Sequence, residues 1–571
     1  MLPNQDIHLR GARAFSAAAL LSATAIVIWV ISTRIGQTIE LEWMTGSILD
    51  HIERIQRGLP VYQAPTADWI PFLYPPGYYW VVARIAGQSD PQLTARLVSV
   101  AATVLGVVMI YLGARALKVG RFWSLLGAGL FIGCFSFLER WFDIERCDPL
   151  FVSVLGLAFF VLVRVRAPFA PVIAGALIGL NMYVKQPSLF FLAATIGLFV
   201  LTRRWRDLAT FMVGFLTVFV PLWISLQHQS DGWFARYCWD MPRTHGIDKR
   251  LISLFLVKDQ ADAFLFTVVG IIAVVTLFPW RKPLRENLRA DFSPDLVLLA
   301  WFAAAWAASG SSRMHLGGFR NCDAYWIYFG CIATAVVGER TEAWLRSKDS
   351  RAPFLVHALV ALQVLSFLED PVEWVPEKLA ARGNDKLHAL VRSYEQAGKN
   401  VLIAGRGHVA LKRNFHMAAL VDVLRTGAPL PDSFTSALRN RQYGAIFLNG
   451  LEEYSFEGLL TDEQLEKGAS PYRIMLENYF VAGHVRGLYP PVVGFRTFPQ
   501  WVMHPRATPL SGIPTKALVQ RQRVEAGLAL ARSALDSVSA DSVVDTIEQD
   551  AAKILAELGH TQSSLNSYNH Q

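Results

Sequence analysis

The sequence predicts a polytopic α-helical membrane protein of about eleven spans followed by a small extracytoplasmic α/β domain. Three observations predict it. Apolar runs recur at short intervals through the first 370 residues; only 18% of the chain is charged, against about 25% in soluble domains; and Lys and Arg cluster in alternate segments between the runs. A bilayer core of roughly 30 Å is crossed by about 20 apolar residues in a helix. With 53% hydrophobic residues and a mean hydropathy of +0.31, these runs are too many to be core helices of one soluble domain.

The predicted spans are 15–33, 92–114, 121–138, 148–164, 168–183, 187–202, 207–226, 261–279, 295–309, 324–338 and 353–368. The first follows Arg10 and Arg13 and has no small-x-small cleavage site after it, so it reads as an uncleaved helix rather than a signal peptide. Basic residues then fall in every second segment: Arg115, Lys118 and Arg121; Arg164 and Arg166; Arg203, Arg204 and Arg206; Arg281, Lys282, Arg285 and Arg289; Arg340, Arg346, Lys348 and Arg351. Basic loops stay on the cytoplasmic side, which predicts a multi-pass plasma (inner) membrane protein with a cytoplasmic N-terminus. The net charge of +8 is thereby a topology signal, and nucleic acid is not an expected partner.

The remaining loops, 35–91, 139–147, the turn near Lys185, 227–260 and 310–323, then face outward. Residues 1–370 form the predicted membrane domain. An odd number of spans places 371–508 outside as well, where soluble patterning begins. Val401–Ala404 and Ala445–Leu448 read as short buried strands, and Asp385–Gly398, Phe415–Arg425 and Pro471–Tyr479 as helices, which makes a small α/β domain. Residues 509–571 carry a charged helix over Pro514–Leu558 and a polar tail predicted to be disordered. No internal or inverted repeat of the transporter kind is visible. The five cysteines form no CxxC pair, so neither a zinc nor a redox motif is expected, and their pairing is left open.

The outward loops mix acids, bases and aromatics. The first carries Glu40 and Glu42 just after the first span, a helix from Met44 to Arg57 that includes Asp50 and stops at Gly58, then Tyr62 and the stretch Tyr74-Pro75-Pro76-Gly77-Tyr78-Tyr79-Trp80. A carboxylate partly desolvated at the membrane boundary has a raised pKa and suits a general base; a solvated loop charge is the alternative. The second loop carries Asp143, Arg146 and Asp148, either a functional cluster or an ion pair that orients the loop. In the third, Lys185 precedes Gln186 and Pro187, placed for an anion or for snorkelling. The fourth, with Trp233, Arg236, Trp239 and His245, reads as an amphipathic helix on the bilayer recruiting lipid phosphate. The fifth sets Arg313, His315, Arg320 and Asn321 around Gly317-Gly318, where the backbone approaches a ligand closely and Arg donates in pairs to phosphate, or forms a plain turn.

In that order these segments resemble the C-type membrane glycosyltransferases, and more narrowly the protein O-mannosyltransferase and aminoarabinose-transferase group, glycosyltransferase family 39-like. The resemblance is carried by Glu42, Gly58, Tyr62 and Tyr74-Pro75-Pro76; by Asp143, Arg146 and Asp148 in "Asp-x-x-Arg-x-Asp"; by Lys185-Gln186-Pro187; and by Arg313, His315, Gly317, Gly318 and Asn321. It covers residues 1 to about 340. It implies sugar transfer from a polyprenyl-phosphate donor to a glycan, lipid or protein acceptor, on the non-cytoplasmic side. The implied base is Glu42, then Glu40, then Asp50, since the group has Asp or an Asp-Glu pair where this chain has Glu-Leu-Glu. Lys185, Arg146, Arg313 and His315 are implied for the donor phosphate, and Tyr62, Tyr74, Asp143, Asp148, Gln186, Arg236, His245 and Asn321 for substrate. Membrane lipids are expected partners. No cofactor or metal site is predicted, and a divalent requirement is left open. A transporter of an anionic lipid or glycan is the competing reading, but it requires ionisable residues near mid-bilayer. A non-catalytic scaffold leaves the clustered charges unexplained.

Overall fold

In the computed structural model the described residues are 3–535, other than 166, 279–292, 316, 350, 404, 410–414, 427, 429, 451–470, 496, 497 and 514. The chain forms two compact units. The first holds residues 1–63, 71–376 and 492–494, the second 64–70, 377–491 and 495–571.

The first unit is helical. Its principal helices are α1 Pro3–Arg34, α2 Thr45–Gln56, α3 Gly77–Ala86, α4 Pro91–Ala116, α5 Arg121–Gly133, α6 Asp148–Arg164, α7 Ala170–Asn181, α8 Ser188–Leu201, α9 Trp205–Gln229, α10 Phe264–Leu277, α11 Pro294–Arg313, α12 Ala324–Arg346 and α13 Pro353–Ser366. By length and composition the segments Ile7–Arg34, Pro91–Ala116 and Trp205–Gln229 can each cross a membrane. The molecule is therefore a polytopic helical membrane protein. The predicted first, second, fourth and seventh spans coincide with α1, α4, α6 and α9.

Three expectations are corrected. The span set at 261–279 is not a straight helix: Lys249–Asp262 and Phe264–Leu277 meet at a 92° bend. The loop over 227–260 is not one amphipathic helix but a relay of short pieces, α at Trp233–Ala235, π at Arg236–Asp240, 3-10 at Met241–Thr244, α again at Lys249–Ser253 and π at Leu254–Asp259. Pro242 offers no backbone N–H to continue an α ladder, and Gly246 adds freedom where the chain turns. Finally, the aromatic stretch after Pro76, which the sequence left inside a loop, forms α3. The cations at 281, 282, 285 and 289 lie outside the described residues.

Side-chain contacts define two ends of the bundle. At one, Glu342 accepts from Arg13 (2.6 Å) and Trp123 (3.1 Å) and contacts His357 (2.9 Å), while Asp295 pairs with Arg340 at 2.9 Å. At the other, the end of α1, the starts of α4, α6 and α12 and the turn between α7 and α8 converge. Small residues let helices close up: a Cβ on Gly175 of α7 would run into the Phe211 carbonyl of α9. Cys134, Cys147, Cys238, Cys322 and Cys331 are buried and unpaired.

The second unit is an α/β fold. Its helices are α14 Ala380–Gln396, α15 Met417–Arg425, α16 Asp432–Arg439, α17 Pro471–Asn478 and α18 Thr515–Leu535, and its strands β1 Asn400–Ile403, β2 Tyr443–Leu448, β3 Tyr479–His484 and β4 Trp501–Pro505. The sheet order is β1-β2-β4-β3, with β1 and β2 parallel and the other pairs antiparallel. Leu387 and Val391 of α14 pack on Val401, Ile403, Phe447 and Val502. Arg506 and Glu525, 2.7 Å apart, tie α18 to the end of β4. The predicted strands at 401–404 and 445–448 are β1 and β2. Strands β3 and β4 and helix α16 were not read from the sequence; β3 is only partly buried and carries Gly483 and His484, so it lacks the continuous apolar run of β1 and β2.

Candidate active site

The site grows from the exit of α1. That helix ends at Arg34, whose guanidinium is fully buried and lies 3.2 Å from Asp143. The chain then runs to Glu42, whose carbonyl accepts from the Thr45 N–H at 3.0 Å to start α2. One carboxylate oxygen of Glu42 accepts from the Met44 N–H at 3.1 Å. The other is buried with no hydrogen-bond partner among the described residues. Burial pushes the Glu42 carboxyl up to about 7, opposed by Arg146 and by the Met44 N–H.

The loop between α5 and α6 supplies the charges opposite. Glu139 and Arg140 both adopt left-handed backbone, at φ 60 and 65, a conformation costing side-chain-bearing residues about 1 kcal/mol or more each. The Arg140 carbonyl accepts from Arg34, and its guanidinium pairs with Glu369 at 2.8 Å. The turn this forces delivers Asp143, Glu145, Arg146 and Asp148 to the bundle. Arg146 lies over the rings of Trp141 (4.3 Å) and Tyr74 (5.2 Å) and donates to the Tyr74 hydroxyl at 3.3 Å. Burial lowers its pKa, but Tyr74, Glu42 and Asp148 together raise it above the ordinary value, so it stays a cation.

Asp148 opens α6. Its Oδ1 accepts from Lys185 at 2.6 Å and from Asn321 at 3.1 Å. Burial alone would discharge Lys185; Asp148 reverses that and holds its pKa well above the usual range. The Lys185 ammonium also faces the Tyr325 ring at 5.4 Å. Four stretches of chain far apart in sequence thereby meet in one desolvated group of Glu42, Tyr74, Arg146, Asp148, Lys185 and Asn321. A cavity beside Asp148 and Asn321 is lined by Thr103, Trp141 and Phe142, and a second beside Arg146 by Tyr74, Tyr78 and Tyr79.

The Tyr-Pro-Pro-Gly stretch is fixed by polar ties. The Tyr62 hydroxyl donates to the Tyr74 carbonyl at 2.7 Å, and Gln186 donates to the carbonyls of Leu73 (2.9 Å) and Cys238 (3.0 Å). The Gly77 N–H donates to the Tyr183 carbonyl at 2.6 Å. His51 of α2 stacks on Phe72 at 5.2 Å and accepts from its N–H at 2.9 Å. Tyr62 and Gln186 thus position Tyr74 and its neighbours.

Other expected site residues lie elsewhere. Asp143 sits against Arg34 and not against the Lys185 group. Arg313 is engaged by Asp259 at 2.9 Å and by the Gly318 carbonyl at 2.7 Å. Asp259 also pairs with Arg320 at 3.0 Å, and Arg320 with Asp262, so these residues make a second charged group beside the bend. His315 and His245 face each other with ring centroids 5.6 Å apart, and Arg236 lies over Trp233 at 4.6 Å. Glu40 is buried, and Asp50 is buried on α2. The residues that sequence reading passed over are Arg34, Arg96 and Glu145. The available signal was Arg96, an ionisable residue inside an apolar span.

Residues 72–303 match the model of glycosyltransferase family 87. No curated protein matches the chain. Among solved structures, the oligosaccharyltransferase of Archaeoglobus fulgidus in complex with Zn and sulfate superposes with a TM-score of 0.50 at 13% identity, covering 84% of this chain and 73% of that one. ArnT from Cupriavidus metallidurans bound to undecaprenyl phosphate superposes with a TM-score of 0.48 at 14% identity, covering 87% of this chain and 99% of that one. Likeness at these identities is one of fold.

Proposed function

We propose that the chain is a C-type membrane glycosyltransferase, the class that includes the family 87 matched over residues 72–303, and that it transfers a sugar from a polyprenyl-phosphate carrier to an acceptor hydroxyl at the non-cytoplasmic face. The observation that carries the reading is Glu42: a fully buried carboxylate pushed up to about 7, with one bare oxygen, beside Arg146. A base whose pKa lies near the working pH is both ionised and able to take a proton.

In the proposed reaction the acceptor O–H gives its proton to Glu42 as its oxygen bonds to the anomeric carbon. The anomeric C–O bond to phosphate breaks, and its electron pair leaves with the polyprenyl phosphate. The extra negative charge then appears beside Arg146 and Lys185. Cations already fixed in a desolvated site stabilise such charge without reorganising. Their place at the ends of apolar helices suits a phosphate whose hydrocarbon tail stays in lipid, and this supports a lipid-linked donor over a nucleotide sugar. The alternation of basic segments supports the non-cytoplasmic side.

The test uses the purified full-length protein in detergent with a radiolabelled polyprenyl-phosphate sugar and, separately, nucleotide sugars. Transfer from the lipid-linked donor alone is expected, with Glu42→Gln losing about 10²- to 10⁴-fold in rate. Use of nucleotide sugars alone would overturn the donor assignment, and a wild-type rate for Glu42→Gln would overturn the base.

A further inference from the structure

We propose that Arg96 and Glu145 are positioning residues that hold the Glu42 carboxylate for proton transfer, acting through Thr45 and the backbone of residues 34–39. The proposal rests on the reading of Glu42 as the base.

Arg96 lies in the second turn of α4 and is fully buried. Its guanidinium is spent on the chain that leads to Glu42. Nη1 donates to the Arg34 carbonyl at 3.1 Å and to the Gln37 carbonyl, and Nη2 donates to the Ile39 carbonyl at 2.6 Å. Nε donates to Glu145 Oε1 at 2.6 Å. The second oxygen of Glu145 accepts from the Thr45 hydroxyl at 3.1 Å. The Thr45 N–H in turn donates to the Glu42 carbonyl at 3.0 Å. Glu42 is therefore held on both sides. Its N-terminal approach is clamped by Arg96, and its C-terminal neighbour is clamped by Glu145, which Arg96 itself holds.

The residue types fit this task and fit packing poorly. A fully buried ion pair adds little net stability over apolar residues of the same volume, so stability alone does not call for one here. A guanidinium is a planar fork with five donors, able to satisfy a carboxylate and several carbonyls at once, whereas an ammonium cannot. The segment 35–41 has no regular helix or strand to stiffen it, and its carbonyls need donors once buried. The clamp supplies both. A carboxylate misplaced by about 1 Å can lose on the order of a hundredfold in rate, so the hydrogen bonds that fix the segment control the chemistry. Glu145 also touches Glu42 electrostatically: its charge is one of those that raise the Glu42 pKa.

The experiment compares Glu145→Gln, Thr45→Val, Arg96→Lys and Glu42→Gln with the wild type, as full-length protein in detergent. It measures kcat and KM for donor and acceptor across pH, corrected for folded protein. Glu145→Gln and Thr45→Val are expected to lower kcat about 10- to 100-fold with donor KM changed less than about threefold. Glu145→Gln should also move the acidic limb of the kcat profile to lower pH, because a negative charge near Glu42 is gone. Arg96→Lys should lower kcat as well but leave the acidic limb near its wild-type place, because the Glu145 charge is kept. A purely structural role would reduce the yield of folded protein and leave kcat per folded molecule and the limb unmoved, which would overturn the proposal. If Glu145→Gln does not fold, the near-isosteric Thr45→Val decides alone by the same kcat criterion. A wild-type rate for Glu42→Gln would instead sink the base assignment, and this proposal with it. A dead Glu42→Gln beside a fully active Thr45→Val and Glu145→Gln would sink only the positioning role.

Discussion

At the scale of single residues, what matters is where charge is buried and what answers it. Glu42 has its neutral form favoured by burial. Transfer should therefore follow the ionised fraction, near its plateau above pH 8 and falling as pH drops through about 7; an acidic limb near the ordinary carboxylate value of 4.5 would contradict this. The sign for stability is the reverse. Below pH 4.5 Glu42 is protonated in both folded and unfolded chains and costs nothing. As pH rises through about 7 the folded protein must carry a buried charge, and stability is lost. Glu42→Gln should thus melt higher than wild type at pH 8, by at most about 3 kcal/mol, and equally at pH 4, which thermal unfolding in detergent checks. Lys185 is a different case, since its partner Asp148 stays behind when it is removed. Lys185→Met should destabilise by about 3–5 kcal/mol and raise donor KM, whereas the double variant with Asp148→Asn should regain stability without regaining donor binding. Recovery of both would remove Lys185 from the donor site.

At the scale of elements, the site depends on turns that no helix propensity would specify. The Tyr-Pro-Pro-Gly turn brings the Tyr74 ring over Arg146 and starts α3 at Gly77. A Cβ on Gly77 would stand 2.5 Å from the Tyr183 carbonyl oxygen, the atom that accepts the Gly77 N–H. That atom is backbone and cannot swing away. Gly77→Ala should cost about 1–3 kcal/mol and lower transfer through the displaced Tyr74; an unchanged melting temperature would show that the turn has slack. The same logic governs the loop between α5 and α6, where two left-handed residues aim four charged side chains inward. Its motif was legible as "Asp-x-x-Arg-x-Asp", but the division of labour was not. Asp143 answers Arg34, Glu145 answers Arg96 and Thr45, Arg146 faces Tyr74, and Asp148 holds Lys185.

At the scale of the molecule, the membrane unit separates its charges between two ends, and the expectation from basic segments is that the Glu42 end faces outward. All five native cysteines are buried, so single introduced cysteines report sidedness against a quiet background. Lys386→Cys in the α/β unit, at an exposed position, should react with a membrane-impermeant maleimide on intact cells. Lys118→Cys, exposed beyond α4, should react only after permeabilisation. The opposite pattern would invert the topology.

The sequence by itself determined the membrane class, the principal helices, two of the four strands among the described residues and the segments that meet in the candidate site, because hydropathy, charge placement and short motifs are local properties of the chain. It did not determine which side chains meet. Glu42, Arg146, Lys185 and Asn321 lie on four segments that only helix packing joins, while Arg313, in a motif of equal density, is engaged by Asp259. The raised Glu42 carboxyl and the Arg96–Glu145 clamp have the same origin. Both depend on burial, and burial is decided by the neighbours that the tertiary fold brings to a residue, not by those beside it in the chain.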